Sequence, residues 1–373
     1  MKKFILSVFL MAAVLISNAS FSYAAGSIVE SPHLKINING EIGTYTDVPL
    51  IKDGRTLLPL RAVLTNLGVQ NDDQHIVWKQ SDRSVAVYSD STEITLGIDK
   101  NTAYVNKTAI TLDVAPILYN NRTYVPVRFV SQSLGKKVVW DPSAAMALIR
   151  DESEFDRVKG IVEKTTAAMN SVDRYKTNAT LKFDLTGEDA AVNSTMELTA
   201  LTDIKNKTGY TAMTLVQSVM GYNSTTSTEM YAGGNVLYVR NPFDNTWEKK
   251  EMDEETYNAQ FVYSEIDNSD ISYAGLVVAD SSNPDEILLK GDIAMEKMLR
   301  QNLDDENIGQ YKLDTAYTEI TIDKNTNLVK KVYVKVSGTA DLSAENVNFD
   351  MELTSVNSDY NGDFEVNLPE DLP

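Results

Sequence analysis

The chain contains no cysteine and only two histidines, His33 and His75, among 373 residues. Without thiols there are no disulfides, thiolate metal sites, iron–sulfur clusters or cysteine nucleophiles. Two histidines cannot make a three-His metal site and leave little room for a Ser-His-Asp triad. Basic residues are scarce as well: 34 Lys and Arg face 53 Asp and Glu, for a net charge of −19. That balance argues against nucleic acid or an anionic membrane as the main partner. No phosphate loop, Gly-x-Ser-x-Gly elbow or dinucleotide fingerprint occurs. The expectation is a protein without catalytic residues, metal or cofactor.

Only the N-terminus carries a long apolar run. Lys2 and Lys3 precede Phe4–Ile16, and Ser22-Tyr23-Ala24 places small residues where a signal peptidase reads. Residues 1–25 are therefore expected to be a secretory signal peptide cut after Ala24 or Ala25. The run falls short of the ~20 residues a spanning helix needs. No Cys follows the cut for lipidation, so the expected product is extracellular, with no transmembrane segment and no covalent or lipid anchor. Its length calls for two or more domains, since one core seldom grows past roughly 250–300 residues.

The first half repeats itself at an offset of 67 residues. Gly54-Arg55-Thr56-Leu57-Leu58-Pro59-Leu60-Arg61 matches Asn121-Arg122-Thr123-Tyr124-Val125-Pro126-Val127-Arg128, and Leu67-Gly68 matches Leu134-Gly135. Trp78 matches Trp140 at an offset of 62, so the first copy holds about five extra residues around Asn71–His75. Each copy reads as a strand, then a helix opened by Pro59 or Pro126 and closed at Gly68 or Gly135, then a hairpin. The expected helices are Leu60–Leu67 and Val127–Leu134. The expected hairpins pair Val77-Trp78 with Val85–Tyr88 and Val138-Val139-Trp140 with Ala147–Ile149. Arg61 and Arg128 are expected to bind a carboxylate or carbonyl within their copy, and Trp78 and Trp140 to anchor each copy's core.

This pattern, over about residues 34–150 in two repeats (34–90 and 101–150), resembles the family named for the N-terminal domain of copper amine oxidases. The resemblance implies a stalk module of the kind common in secreted Gram-positive bacterial proteins, and with it a cell-wall or surface-protein partner. It does not imply oxidase chemistry. In the oxidases that chemistry lies in another domain, with three His ligands and a Tyr in Asn-Tyr-Asp/Glu. This chain's nearest echo, Asp359-Tyr360-Asn361, has the wrong order.

Charge shifts near residue 153. Residues 26–153 hold 13 basic and 14 acidic residues, whereas 154–373 hold 19 and 39. A domain boundary is expected there. Glu154–Asn170 has apolar residues at helical spacing. Period-two alternation follows, in Ala179–Leu185, Met196–Ala200, Val332–Val336 and Val347–Leu353. These predict antiparallel strands with one wet face. Gly233-Gly234 and Asp323–Asn327 read as hairpin turns. A second helix is expected from Pro284 or Asp285 to about Asn302, and residues 254–280 give no clear pattern.

The fold class is therefore α+β: a duplicated strand-helix-hairpin module followed by a large antiparallel curved sheet covered by helices, residues 154–373. The second part resembles carriers of the LolA and LppX type, and a secreted Gram-positive family of unknown function, through Met230-Tyr231, Asn235–Tyr238, Trp247–Lys250 and the closing Tyr360-Asn361 to Pro369. The resemblance implies an apolar, lipid-like ligand on the inner sheet face, with Leu181, Phe183, Met196, Leu198, Phe349 and Met351 as its lining. Alternation fits equally a filled core beneath the helices, so a structural or protein-interaction module with no cavity stands as the alternative. Asp323-x-Asn325-x-Asn327 echoes a calcium loop but lacks its Gly and its bidentate Glu. Asp304-Asp305-Glu306 and Asp267–Asp270 read as solvated acidic loops.

Overall fold

The computed structural model describes residues 28–43, 47–90, 92–142, 145–187, 191–259, 261, 269–291, 311–342, 345–367 and 372. The expected signal peptide and Asp304-Asp305-Glu306 lie outside them. The described residues divide into two units, one running to Arg157 and one from Val158.

The first unit contains fourteen strands. They are Ile28–Glu30 (β1), Lys35–Ile38 (β2), Glu41–Ile42 (β3), Leu50–Lys52 (β4), Arg55–Pro59 (β5), Ile76–Lys79 (β6), Ser84–Ser89 (β7), Thr92–Gly97 (β8), Thr102–Val105 (β9), Thr108–Thr111 (β10), Ile117–Tyr119 (β11), Arg122–Pro126 (β12), Lys136–Asp141 (β13) and Met146–Asp151 (β14). They form three sheets, β1-β4-β5-β12-β11, β10-β9-β8-β7-β6 and β13-β14-β2-β3. The two segments that match at an offset of 67 fold alike. Each places a five-residue strand, β5 or β12, before a seven-residue helix, Leu60–Asn66 (α1) or Val127–Ser133 (α2). Pro59 and Pro126 cap these helices where no donor is needed. Gly68 and Gly135 close them in the left-handed region, at φ 92° and 70°. Leu60, Val63 and Leu64 of α1 and Val127 and Val130 of α2 are buried in one core with Ile36, Leu58, Ile94, Leu96, Val125 and Ile149.

The arginines divide. Arg55 donates to Asp113 at 2.9 Å, and Arg122 lies 3.5 Å from Asp47. Arg61 donates to Asn71 at 2.8 Å, Asp73 at 3.3 Å and the Ile76 carbonyl at 3.4 Å. Two of these partners, Asn71 and Asp73, come from the extra residues of the first segment. The second segment has no such insertion, and Arg128 is exposed. The tryptophans correct an expectation. Trp78 pairs with Val85 and Trp140 with Ala147 as the hairpin reading requires. Yet their side chains are 38% and 39% exposed, so they are not core anchors. Both sit on edge strands, β6 and β13, where a large ring has a neighbouring strand on one side only.

The second unit is built on one antiparallel, curved sheet of eleven strands. They are Arg174–Thr186 (β15), Ala191–Asp203 (β16), Thr208–Val219 (β17), Tyr222–Gly233 (β18), Val236–Arg240 (β19), Trp247–Glu251 (β20), Val277–Ala279 (β21), Glu286–Gly291 (β22), Tyr311–Asp323 (β23), Val329–Leu342 (β24) and Glu345–Ser358 (β25). Their order is β20-β19-β18-β17-β16-β15-β25-β24-β23-β22-β21. The helix Glu152–Met169 (α3) buries Phe155, Val158, Val162 and Met169. Residues 254–280, which gave no pattern, hold two short helices, Glu254–Ala259 (α4) and Asp270–Gly275 (α5), and then β21.

The helix expected from Pro284 to Asn302 is overturned over its first part. Glu286–Gly291 is β22, paired with Thr318–Asp323; residues 292–302 lie outside the described residues. Pro284 acts as a turn residue. The Glu286 amide donates to the Asn283 carbonyl and the Asp285 amide to the Asn283 side chain. With β23 available as a partner, Ile287 and Leu289 face the sheet's apolar side instead of a helix stripe.

Candidate functional site

In a strand, successive side chains point to opposite faces, so register decides which residues share a face. Leu181 pairs with Met196 on β16 and with Leu353 on β25. Phe183 pairs with Met351, Leu185 with Phe349, and Ala179 with Leu198. All six candidate lining residues therefore occupy one face at the middle of the sheet. Met213 and Leu215 of β17 extend it, opposite Leu198 and Met196.

This face is not uniformly packed. Toward β22 it is a core: Leu289 and Ile322 are fully buried, Ile320 and Val336 are 1% exposed, and Val334, Val332 and Phe349 stay below a tenth. Toward β18 it opens. Leu181, Phe183, Met196, Leu198, Met213, Leu215, Met230 and Met351 are half-buried. The sheet thus packs its apolar face toward β22 and again at the β18–β19 end, where Ala232, Tyr257 and Phe261 are buried, and between these leaves apolar side chains of β15–β18 partly in reach of solvent.

The opposite face is wet. Lys335 donates to Glu352 at 3.1 Å, and this ion pair holds the Glu352 carboxyl below its usual range. Near the β20 edge an aromatic group escaped the sequence reading. Tyr210 and Tyr231 lie 4.7 Å apart, Tyr231 and Trp247 5.6 Å, and the Arg240 guanidinium is 5.8 Å from the Trp247 ring. Tyr210 donates to Glu229 at 3.1 Å, and Arg240 donates to the same carboxylate at 2.9 Å. Burial, then the bond to Glu229, pushes the Tyr210 phenol up to about 12. These residues come together only through the β17–β20 register, which no local sequence pattern encodes.

Other candidates resolve as turns and pairs. Asp323 accepts from the amides of Asn325 and Thr326, at 3.0 and 2.9 Å, so its carboxylate shapes the hairpin. His75 lies 2.8 Å from Asp72, and His33 is exposed. Among the described residues no three His, Asp or Glu side chains converge as metal ligands, and the residues present do not fit a copper centre. Among the described residues no helix is long and apolar enough to cross a membrane. A shallow pocket of about 270 Å³, lined by Glu93, Thr95, Tyr104 and Lys107, belongs to the first unit.

Residues 37–149 match the family model described as the Copper amine oxidase N-terminal domain. No curated protein matches the chain. Among solved structures, LprF from Mycobacterium bovis is similar at 11% identity and a TM-score of 0.30, over 58% of this chain and 98% of that one. A DUF1329 family protein from Desulfovibrio piger is similar at 10% identity and a TM-score of 0.22, over 57% and 95%. A putative outer membrane lipoprotein-sorting protein domain from Vibrio parahaemolyticus is similar at 11% identity and a TM-score of 0.20, over 58% and 96%. At these scores the likenesses carry no functional argument.

Proposed function

We propose that this is a non-catalytic, secreted, two-module protein. A duplicated stalk module spaces it at the cell surface, and its sheet unit binds an apolar, lipid-like ligand. Secretion rests on Lys2, Lys3, the run Phe4–Ile16 and Ser22-Tyr23-Ala24; the stalk rests on the family match at residues 37–149.

The observation that carries the ligand reading is the unequal burial of one sheet face. A solid core would bury Leu181, Phe183, Met196 and Leu198 as completely as it buries Ile320 and Val336. Leaving several large apolar side chains half-exposed side by side forgoes roughly 25 cal/mol for every Å² kept in water. Contiguous exposed apolar surface of this kind marks a binding site on soluble proteins. Met196, Met213 and Met230 sit in it, and unbranched thioethers adapt to ligands of irregular shape.

Native mass spectrometry of the exported protein, followed by organic extraction, tests the reading. Stoichiometric lipid that disappears on polar substitution of Leu181 and Met196 supports it. A bare mass, with no uptake from lipid vesicles, refutes it and leaves a structural or protein-binding module.

A further inference from the structure

Six two-residue hairpin loops are described in full, and all share one backbone shape, with both loop residues at positive φ. That shape favours Asn, Asp and Gly, which tolerate the left-handed region. Five loops have such a residue at their first position, Asn39, Asp53, Asn106, Asn120 and Gly234, although Lys107 takes the second position of one. The sixth, between β17 and β18, opens with Met220 at φ 51° ahead of Gly221 at φ 85°. The Met220 side chain is 64% exposed, and the next strand begins with Tyr222, 83% exposed. Neither turn geometry nor burial explains a methionine there.

Register ties this tip to the candidate site. Phe349 pairs with Leu185, Leu185 with Val192, Val192 with Val219, and Val219 with Tyr222. The row crosses five strands on the apolar face. Phe349 and Leu185 are each 8% exposed, Val192 and Val219 are half-buried, and Tyr222 stands in solvent. An apolar track therefore runs from the packed sheet out to the exposed tip.

We propose that Val219–Tyr222 docks this protein on the interfacial layer of a zwitterionic lipid bilayer, placing the open half of the apolar face beside the source of its ligand. The inference rests on the ligand reading above for its purpose, not for its test. Methionine is flexible and apolar, and tyrosine combines an apolar ring with a polar rim suited to headgroup depth. Charge selects the surface. Residues 154–373 carry 39 acidic against 19 basic residues. An anionic bilayer would repel them.

Flotation of the exported chain, its processed N-terminus checked by mass, with phosphatidylcholine vesicles tests this. The wild type should float, and Met220→Asn/Tyr222→Ser should lose at least tenfold in partitioning. Asn at the first loop position suits the turn, so an unchanged or higher melting temperature shows that the variant folds. Phe243→Ser is the control. Phe243 is 91% exposed, in the β19–β20 loop, which leaves Arg240 beside Thr228. Phe243 thus belongs to a different loop from the β17–β18 tip, and docking is assigned to Val219–Tyr222 alone. Partitioning of Phe243→Ser should match wild type. A wild type that does not float, a tip variant that floats as well, or an equal loss in Phe243→Ser would overturn the proposal. Ligand retained by a protein that does not float would leave the carrier reading standing alone; flotation by a protein that never takes up lipid would do the reverse.

Discussion

Alanine at Leu181 and at Ile320 should have opposite consequences, although both residues lie on the same face of the same sheet. Ile320 is 1% exposed. Truncating it removes buried methyl groups and leaves a cavity, at a cost of about 2–5 kcal/mol. Leu181 is half-buried. Its truncation forfeits only part of the roughly 1.5–3 kcal/mol that full leucine burial contributes, about 1 kcal/mol, and opens no sealed void. In a unit of this size each kcal/mol moves the melting temperature by about 2–4 °C. Leu181→Ala should therefore melt about 2–4 °C low, and Ile320→Ala roughly 6–12 °C low at a mid-range loss of about 3 kcal/mol. Uptake of a fluorescent apolar dye, measured well below both midpoints, should fall in Leu181→Ala and persist in Ile320→Ala. Equal melting losses with unchanged dye uptake would mean that the half-burial is simply loose core, and the ligand reading would fail.

Glycine substitutions should split when stability is read by denaturant unfolding. A Cβ on Gly291 would stand 2.0 Å from the Gly275 carbonyl oxygen, so Gly291→Ala should cost about 3 kcal/mol or more, whereas Gly160→Ala, with open space within α3, should gain about 0.5–1 kcal/mol; a tolerated Gly291→Ala would refute the close approach of α5 to β22. The Asp323 carboxyl is held below its ordinary range, first by the Thr326 amide. A lowered folded pKa contributes stability above the unfolded value near 3.9 and loses it as pH falls, so the melting difference between wild type and Asp323→Asn should be constant near pH 6 and shrink towards pH 3; a pH-independent difference would count against it. Arg61→Ala should cost about 1 kcal/mol for its several exposed partners, and Arg128→Ala less than about 0.5 kcal/mol; equal losses would show that the insertion does not create the asymmetry.

What could be read from the sequence was local. Pro59 to Gly68 and Pro126 to Gly135 frame two helices because each signal acts within a turn. Strand alternation put Leu181, Phe183, Met196, Leu198, Phe349 and Met351 on one face because side-chain direction follows from a period of two. Periodicity carries no information about what lies over that face, so the change from packed to open across the sheet could not be read. Trp78 and Trp140 misled because residue type reports size, while edge-strand position is a property of the assembled sheet. Pro284 misled because a proline suits a helix's first turn and a β-turn alike, and the pairing of β22 with β23 decided between them.

The pairings within the first unit bear on how it folds and how it could vary. β2 pairs parallel with β14, Ile36 beside Ala147, and β5 pairs with β12, Leu58 beside Val125. The earliest central strand must therefore wait for residues some 110 positions later, a loop closure that slows folding. A chain emerging N-terminus first cannot complete one matching segment and then the other. The segments share sheets and one core, so they should unfold in a single transition, and neither should fold alone. Deleting either matching segment alone would remove strands from sheets and a core that the other segment needs.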